Sequence, residues 1–245
     1  ISRNHGLDRA TGRYIMFVDP DDILPKNSVR ALVSIAEMQK ADIVKGNLTL
    51  FNERYERHAP DSVKQTRLFN GSDVLKALYS HDEIRGHVGG KLIRRDLISD
   101  IRFTNGVRMA QDLLFFCEVF SKANSLVLIN EVVYRYRKHG LGSTGGKYRR
   151  GSYIDWLNSV EKCGHWAMTD DQLMAHRSLM VRTLTQITRE CRNLDDTDTM
   201  SVVLDEIHKR VEFWNIKGWP LLLSTRPDLS SFGRYLKFKL AMHSI

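Results

Sequence analysis

The sequence is short of the features that would place it in several common functional classes. Cys117, Cys163 and Cys191 are its three cysteines in 245 residues. Their odd number, wide spacing and helical settings suit core thiols of a reducing compartment better than disulfides or zinc ligands. Nine histidines include no His-x-x-x-His or Glu-x-x-His pair of the kind that chelates a metal. No apolar run approaches the roughly 18 residues of a membrane-spanning helix, and there are no repeats or low-complexity tracts. Nor is there a helix-turn-helix, zinc-finger or ribonucleoprotein pattern to specify nucleic acid. The charge is lopsided toward the positive: 37 Lys and Arg against 29 Asp and Glu leave +8 at neutral pH. Phosphorylated substrates, an anionic membrane and nucleic acid would all suit that balance.

What is present concentrates near the start. Apolar Tyr14 to Val18 reads as a buried strand, followed at its C-terminal end by Asp19, Asp21 and Asp22. Open α/β sheets place ligands at strand C-termini. Magnesium and manganese take oxygen ligands, often only one or two protein carboxylates with the rest from water and phosphates. The plain alternative is a turn followed by a helix cap, for which Asp-Pro-Asp-Asp is equally suited.

The longer run decides how to weigh these readings. Asn4, Gly6, Leu7, Ala10, Gly12, Tyr14, Ile15, Phe17, Asp19, Asp21 and Asp22 stand in a register that resembles the signature of family 2 glycosyltransferases with the GT-A fold. Gly89-Gly90-Lys91-Leu92-Ile93-Arg94-Arg95 resembles the family's Lys-Leu-aromatic-basic-basic segment, and Gln111-Asp112-Leu113-Leu114-Phe115 its Glu-Asp-x-x-Phe motif, with Gln111 in place of glutamate. Tyr134-Arg135-Tyr136-Arg137 through Gly142-Ser143 resembles its closing Tyr-x-Tyr-Arg and Gly-Ser segment. The resemblance implies an inverting transfer with Asp112 as base. It implies a donor and cofactor site drawn from Arg3, Asn4, Asp19, Asp21, Arg137, His139 and Ser143, a Mn2+ or Mg2+ ion on Asp19 and Asp21 with His139 as a further candidate, and acceptor contacts at Lys91 and Gln111. The implied partners are a nucleotide-sugar donor, most commonly linked to uridine diphosphate, and a glycan or lipid-linked acceptor of bacterial surface polysaccharide such as lipopolysaccharide or capsule. The expected location is cytoplasmic or peripheral on the inner face of the membrane, with no role for nucleic acid. In the family the first strand, a nucleotide-contacting aspartate and the base pocket precede this motif, so the chain is expected to be a fragment lacking most of the nucleotide site. Unpaired strand edges would then favour a homo-oligomer.

Read without the resemblance, Asp112 is equally a carboxylate at a helix start, where the helix's positive end favours it. The segment of Arg135, Arg137, Lys138, Lys147, Arg149 and Arg150 is equally a solvated basic loop. A carboxylate-metal nuclease or phosphatase would need a second acidic cluster, and none stands out. A non-catalytic module binding anionic partners remains the alternative to an enzyme.

Strand-like runs at 13–18, 42–51 and 126–137 alternate with helix signals at 27–39, 71–79 and 111–122, which predicts an α/β fold; the resemblance implies that it is a partial GT-A three-layer sandwich. The polar span 52–66 reads as an exposed loop or hairpin. From Gly151 the apolar spacing turns helical, so residues 1–148 are expected to form the GT-A portion and 149–245 a helical appendage. Within the latter, 231–243 alternates aromatics with Arg234, Lys237 and Lys239 and reads as a candidate membrane-surface helix.

Overall fold

The computed structural model describes residues 2–60, 62–84, 88–138, 150–191 and 197–213. Two compact units emerge, one of Ile1–Asn105 and Phe115–Gly146, the other of Gly106–Leu114 and Lys147–Ile245.

The first unit is built on a mixed sheet. In chain order it holds α1 (Ser2–Arg9), β1 (Tyr14–Met16), α2 (Ser28–Gln39), β2 (Ile43–Phe51), β3 (Glu56–His58), β4 (Arg67–Asn70), α3 (Ser72–Ser80), β5 (Lys91–Arg94), most of α4 (Gln111–Lys122), and β6 (Ser125–Arg137). The strands run in the order β1-β5-β2-β6-β4, with β3 paired to β2 as a hairpin. Within this sheet β2 and β6 pair in parallel and the other neighbours are antiparallel. The three long apolar runs and three helices of this unit lie where the sequence predicts them, and the span after Phe51 is the predicted hairpin. Two further strands, β4 and β5, are additions.

β2 explains why the sheet is closed on both faces, because all nine of its residues are buried. Alternate side chains point to opposite faces. Val44 and Leu48 join Leu32 and Ala36 of α2 and Val127, Ile129, Val133 and Tyr134 of β6 in one apolar cluster. The intervening positions are polar, and each of their bonds satisfies a group that burial would otherwise penalise. The Asn47 amide donates to the carbonyls of Val63 at 2.8 Å and Asn130 at 2.9 Å, and its oxygen accepts the Val63 N–H at 2.6 Å. Thr49 donates to Glu56 across the hairpin at 2.8 Å, and the Lys45 ammonium donates to the Gly46 carbonyl at 3.0 Å. Gly46 itself sits against β6: a Cβ there would lie 2.5 Å from a Val133 methyl. The β2–β6 register also shifts on either side of Asn47.

The second unit contains α5 (Arg150–Cys163), α6 (Asp170–Cys191) and α7 (Thr197–Phe213), which lie on the helical spacing read from the sequence. Leu157, Val160, Leu184, Ile187, Val203 and Ile207 are fully buried. His176 is fully buried too, its Nε2–H donating to the Val160 carbonyl at 2.7 Å. Gly164 makes room for the ring, since a Cβ there would come within 2.8 Å of it. Cys117 and Cys163 are buried, as expected of core residues. Among the described residues no helix is long and apolar enough to cross a membrane, and 231–243 lies outside them.

Three outcomes follow from these settings. Burial lowers the proton affinity of His176, opposed in part by its bond to Val160. The neutral ring is therefore favoured in the native state, and its contribution is complete above the unfolded value of about 6.5 and declines as pH falls below it toward the lowered native value. Urea unfolding between pH 8 and 5 should show that decline, and His176→Gln should flatten it. Gly46→Ala should cost about 1–3 kcal/mol from overpacking. Gly6→Ala, in α1 with open space where its Cβ would go, should be neutral or stabilising by up to about 1 kcal/mol.

Candidate active site

β1 delivers the acidic turn. Phe17, just beyond its last residue, packs edge-on against Phe103 at 5.3 Å and Phe115 at 5.6 Å, and those two rings stack at 4.0 Å. This aromatic cluster fixes the chain immediately before Asp19. α1 is clipped to the same place: the Asn4 amide donates to the Phe103 carbonyl at 2.9 Å and accepts its N–H at 2.8 Å. Arg3, one position earlier, reaches the Asp19 carboxylate at 3.0 Å and lies 5.4 Å from the Phe103 ring centre.

The turn itself is held by the far end of β6. Ile23 and Arg135 exchange backbone bonds, Ile23 N–H to the Arg135 carbonyl at 3.0 Å and Arg135 N–H to the Ile23 carbonyl at 2.8 Å. The Asp22 carboxylate accepts the Tyr134 hydroxyl at 2.8 Å and the Arg137 N–H at 2.8 Å. The Arg137 guanidinium donates through Nε to the Asp21 carbonyl at 2.9 Å, and the Asp19 N–H donates to the Tyr134 oxygen at 3.0 Å. Burial raises the Asp22 carboxyl above its usual range, against the lowering effect of its bonds to Arg137 and Tyr134 and with Asp21 and Asp19 adding to the rise. Burial is also the main cause that pushes the Tyr134 phenol up. Asp22 thus anchors the turn, and Asp19 and Asp21 are its other two carboxylates.

Electropositive groups gather beside this turn. Arg135 and Arg137 both lie over the Phe51 ring, at 4.7 and 4.5 Å from its centre. Arg135 is committed to a bidentate pair with Glu56, at 2.9 and 2.7 Å, which holds the Glu56 carboxyl below its usual range. His139 and Ser143 lie outside the described residues.

The donor set suits a hard divalent cation held by Asp19 and Asp21, both oxygen donors at a strand end. Among the described residues no group of three acidic, histidine or cysteine side chains forms a metal cluster. A cation there would therefore draw its remaining ligands from water and phosphate.

The other expected residues fall in different settings. Lys91 is only 1% exposed, directly opposite Lys45 in the β2–β5 pair, with its ammonium 4.5 Å from the centre of the Phe116 ring. Gln111 and Asp112 open α4 in the second unit. The segment before them is tied to α5, where Asp155 accepts the Arg108 N–H at 3.0 Å and Ser159 donates to the Met109 carbonyl at 3.2 Å. Ala110, the last residue before α4, takes a left-handed φ of 60°, a strained conformation for a side chain with a Cβ. A cavity of about 450 Å3 lined by Ser62, Val63, Lys64, Gln65, Arg67 and Glu83 contains none of the expected residues. The sequence singled out Asp22 and Tyr134 only as members of their motifs. Their bond joins residues 112 positions apart, and no local pattern signals it.

Comparison with known proteins places this geometry. Residues 1–102 match the family model for glycosyl transferase family 2. The chain is 25% identical over 159 residues to the minor teichoic acid biosynthesis protein GgaB of Bacillus subtilis, covering 64% of this chain and 17% of that protein. It is 27% identical over 143 residues to the glycosyltransferase GlyA of Streptococcus pneumoniae, covering 56% and 20%. The chain thus spans a fifth or less of the length of these two relatives. In fold it is similar to residues 1–349 of S. aureus TarS, crystallised in complex with UDP-GlcNAc, with a TM-score of 0.66 and 16% identity over 99% of this chain and 70% of that one. Residues 1–102, the part that carries the acidic turn, are thus similar to glycosyl transferase family 2.

Proposed function

We propose that this chain is the diphosphate-binding and acceptor-side part of an inverting glycosyltransferase, which moves a sugar from a uridine diphosphate donor to a hydroxyl of a glycan or lipid-linked acceptor in bacterial surface-polymer assembly. The observation that carries the proposal is the acidic turn itself, two carboxylates at the C-terminal end of β1 held in place by β6. The teichoic acid name of one relative and the UDP-GlcNAc of the TarS complex support the polymer setting and the donor class.

In such a transfer the acceptor hydroxyl attacks the anomeric carbon from the face opposite the diphosphate. The new oxygen–carbon bond forms as the carbon–phosphate oxygen bond breaks, the electron pair leaves with the diphosphate, and the hydroxyl proton passes to a base. Asp112 is assigned that proton, in the first turn of a helix where the carboxylate form is favoured. Asp19 and Asp21 would hold a magnesium or manganese ion, which when bound supplies charge neutralisation to the leaving diphosphate. Arg3 and Arg137 are assigned to the phosphates, with Asn4 keeping α1 in place. His139 and Ser143 are assigned to the same diphosphate, His139 also as a further metal ligand, and Lys91 and Gln111 to the acceptor side. Residues 231–243 are assigned to peripheral contact with an anionic membrane.

The test is UDP release from UDP-GlcNAc and related sugar nucleotides, with manganese and a panel of polyol-phosphate and glycan acceptors. Asp112→Asn should lower the acceptor-dependent rate at least about a hundredfold, the loss typical of a missing general base, and leave manganese-dependent UDP binding intact. Equal rates in the two proteins would remove Asp112 from the mechanism.

A further inference from the structure

Resting on that reading, we infer that Tyr134 is a positioning residue for the carboxylate pair, and that Gly89 is the seat that lets it act. The hydroxyl is inserted between two points of the acidic turn, accepting from the Asp19 N–H at 3.0 Å and donating to Asp22 at 2.8 Å. It therefore fixes the spacing of the turn's first and fourth residues, between which Asp21 stands. The Asp22 N–H closes the same turn onto the Asp19 carbonyl at 3.1 Å, so the phenol braces it from outside while the backbone braces it from within.

The ring reaches this position only because the neighbouring strand entry has no side chain in the way. A Cβ on Gly89 would lie 2.3 Å from the Tyr134 ring, inside any tolerable contact, and Gly90 adopts a left-handed φ of 75° beside it. Tyr134 is fully buried in the apolar cluster of β2, α2 and β6. Packing alone would be served by phenylalanine, whose ring fills the same volume. The hydroxyl adds bonds to the acidic turn alone, and its removal should be felt there. The Gly-Gly before Lys91 thus acquires a role through Tyr134 and the metal-facing carboxylates.

Tyr134→Phe separates positioning from packing. Amide hydrogen exchange followed by NMR should show Asp19 and Asp22 exchanging about fivefold faster or more, the loss of one hydrogen bond, with amides of α2 and β2 unchanged. The dissociation constant for Mn2+ in the presence of UDP, read by electron paramagnetic resonance, should rise by a similar factor. A residue that served only the fold would lower the melting temperature and move neither local readout. A folded Tyr134→Phe protein with unchanged turn exchange and unchanged Mn2+ affinity overturns the inference. Should that variant not fold, Asp22→Asn keeps the ring seated but offers only one acceptor atom to two donors, and the same local rise in exchange is expected; its absence overturns the inference equally. If the wild-type chain binds no Mn2+ with UDP, the proposed donor site fails, while the exchange comparison still decides the role of Tyr134.

Discussion

The rest of the site depends on a hydrogen-bonded splice between the end of β6 and the turn after β1. Tyr134, Arg135 and Arg137 each hold a different point of residues 19–23, through a hydroxyl, a pair of backbone bonds and a guanidinium. Carboxylates this close repel one another, and a free loop would splay them into solvent. Here one of the three, Asp22, is bound into the scaffold by Tyr134 and Arg137 and takes up the burial, and a second, Asp19, is paired with Arg3. The turn is thereby braced by the chain's own groups.

The sheet around the splice has the same character, with polar groups placed inside where bonds can satisfy them. Asn47 ties β2 to the loop at Val63 and to β6 at Asn130. Lys45 and Lys91 face each other across the β2–β5 pair at 2% and 1% exposure. Buried cations of this kind are costly, and their ammonium groups lie against a carbonyl at Gly46 and the face of Phe116. The aromatic stack of Phe17, Phe103 and Phe115 then connects β1 to the body of α4.

Much of this was legible in the sequence, and the exceptions have physical reasons. β2 and β6 and the helices α2, α3 and α4 are long or strongly periodic, so burial patterns reveal them, and the three-residue β1 lies within the apolar run Tyr14–Val18. β4 and β5 are four residues each and carry Arg67, Lys91 and Arg94; their pairing is decided by neighbours distant in sequence, which no local window contains. The acidic residues were visible as a group, but which one anchors and which ones face outward depends on Tyr134, more than a hundred positions away. The strained Ala110 and the attachment of Gly106–Leu114 to α5 were likewise invisible, because they arise from contacts at Asp155 and Ser159. The motif order carried the resemblance to the family. The three-dimensional contacts assign the labour within each motif.

The central claim is that the braced turn binds a diphosphate through a cation on Asp19 and Asp21. Calorimetric titration of the purified chain with uridine diphosphate, with and without manganese, tests it most directly when wild type is compared with Asp19→Asn/Asp21→Asn. The account predicts manganese-dependent binding by the wild type that the double variant loses while keeping its fold. Binding that is independent of manganese, binding of equal affinity in both proteins, or none by a folded wild-type chain would contradict it.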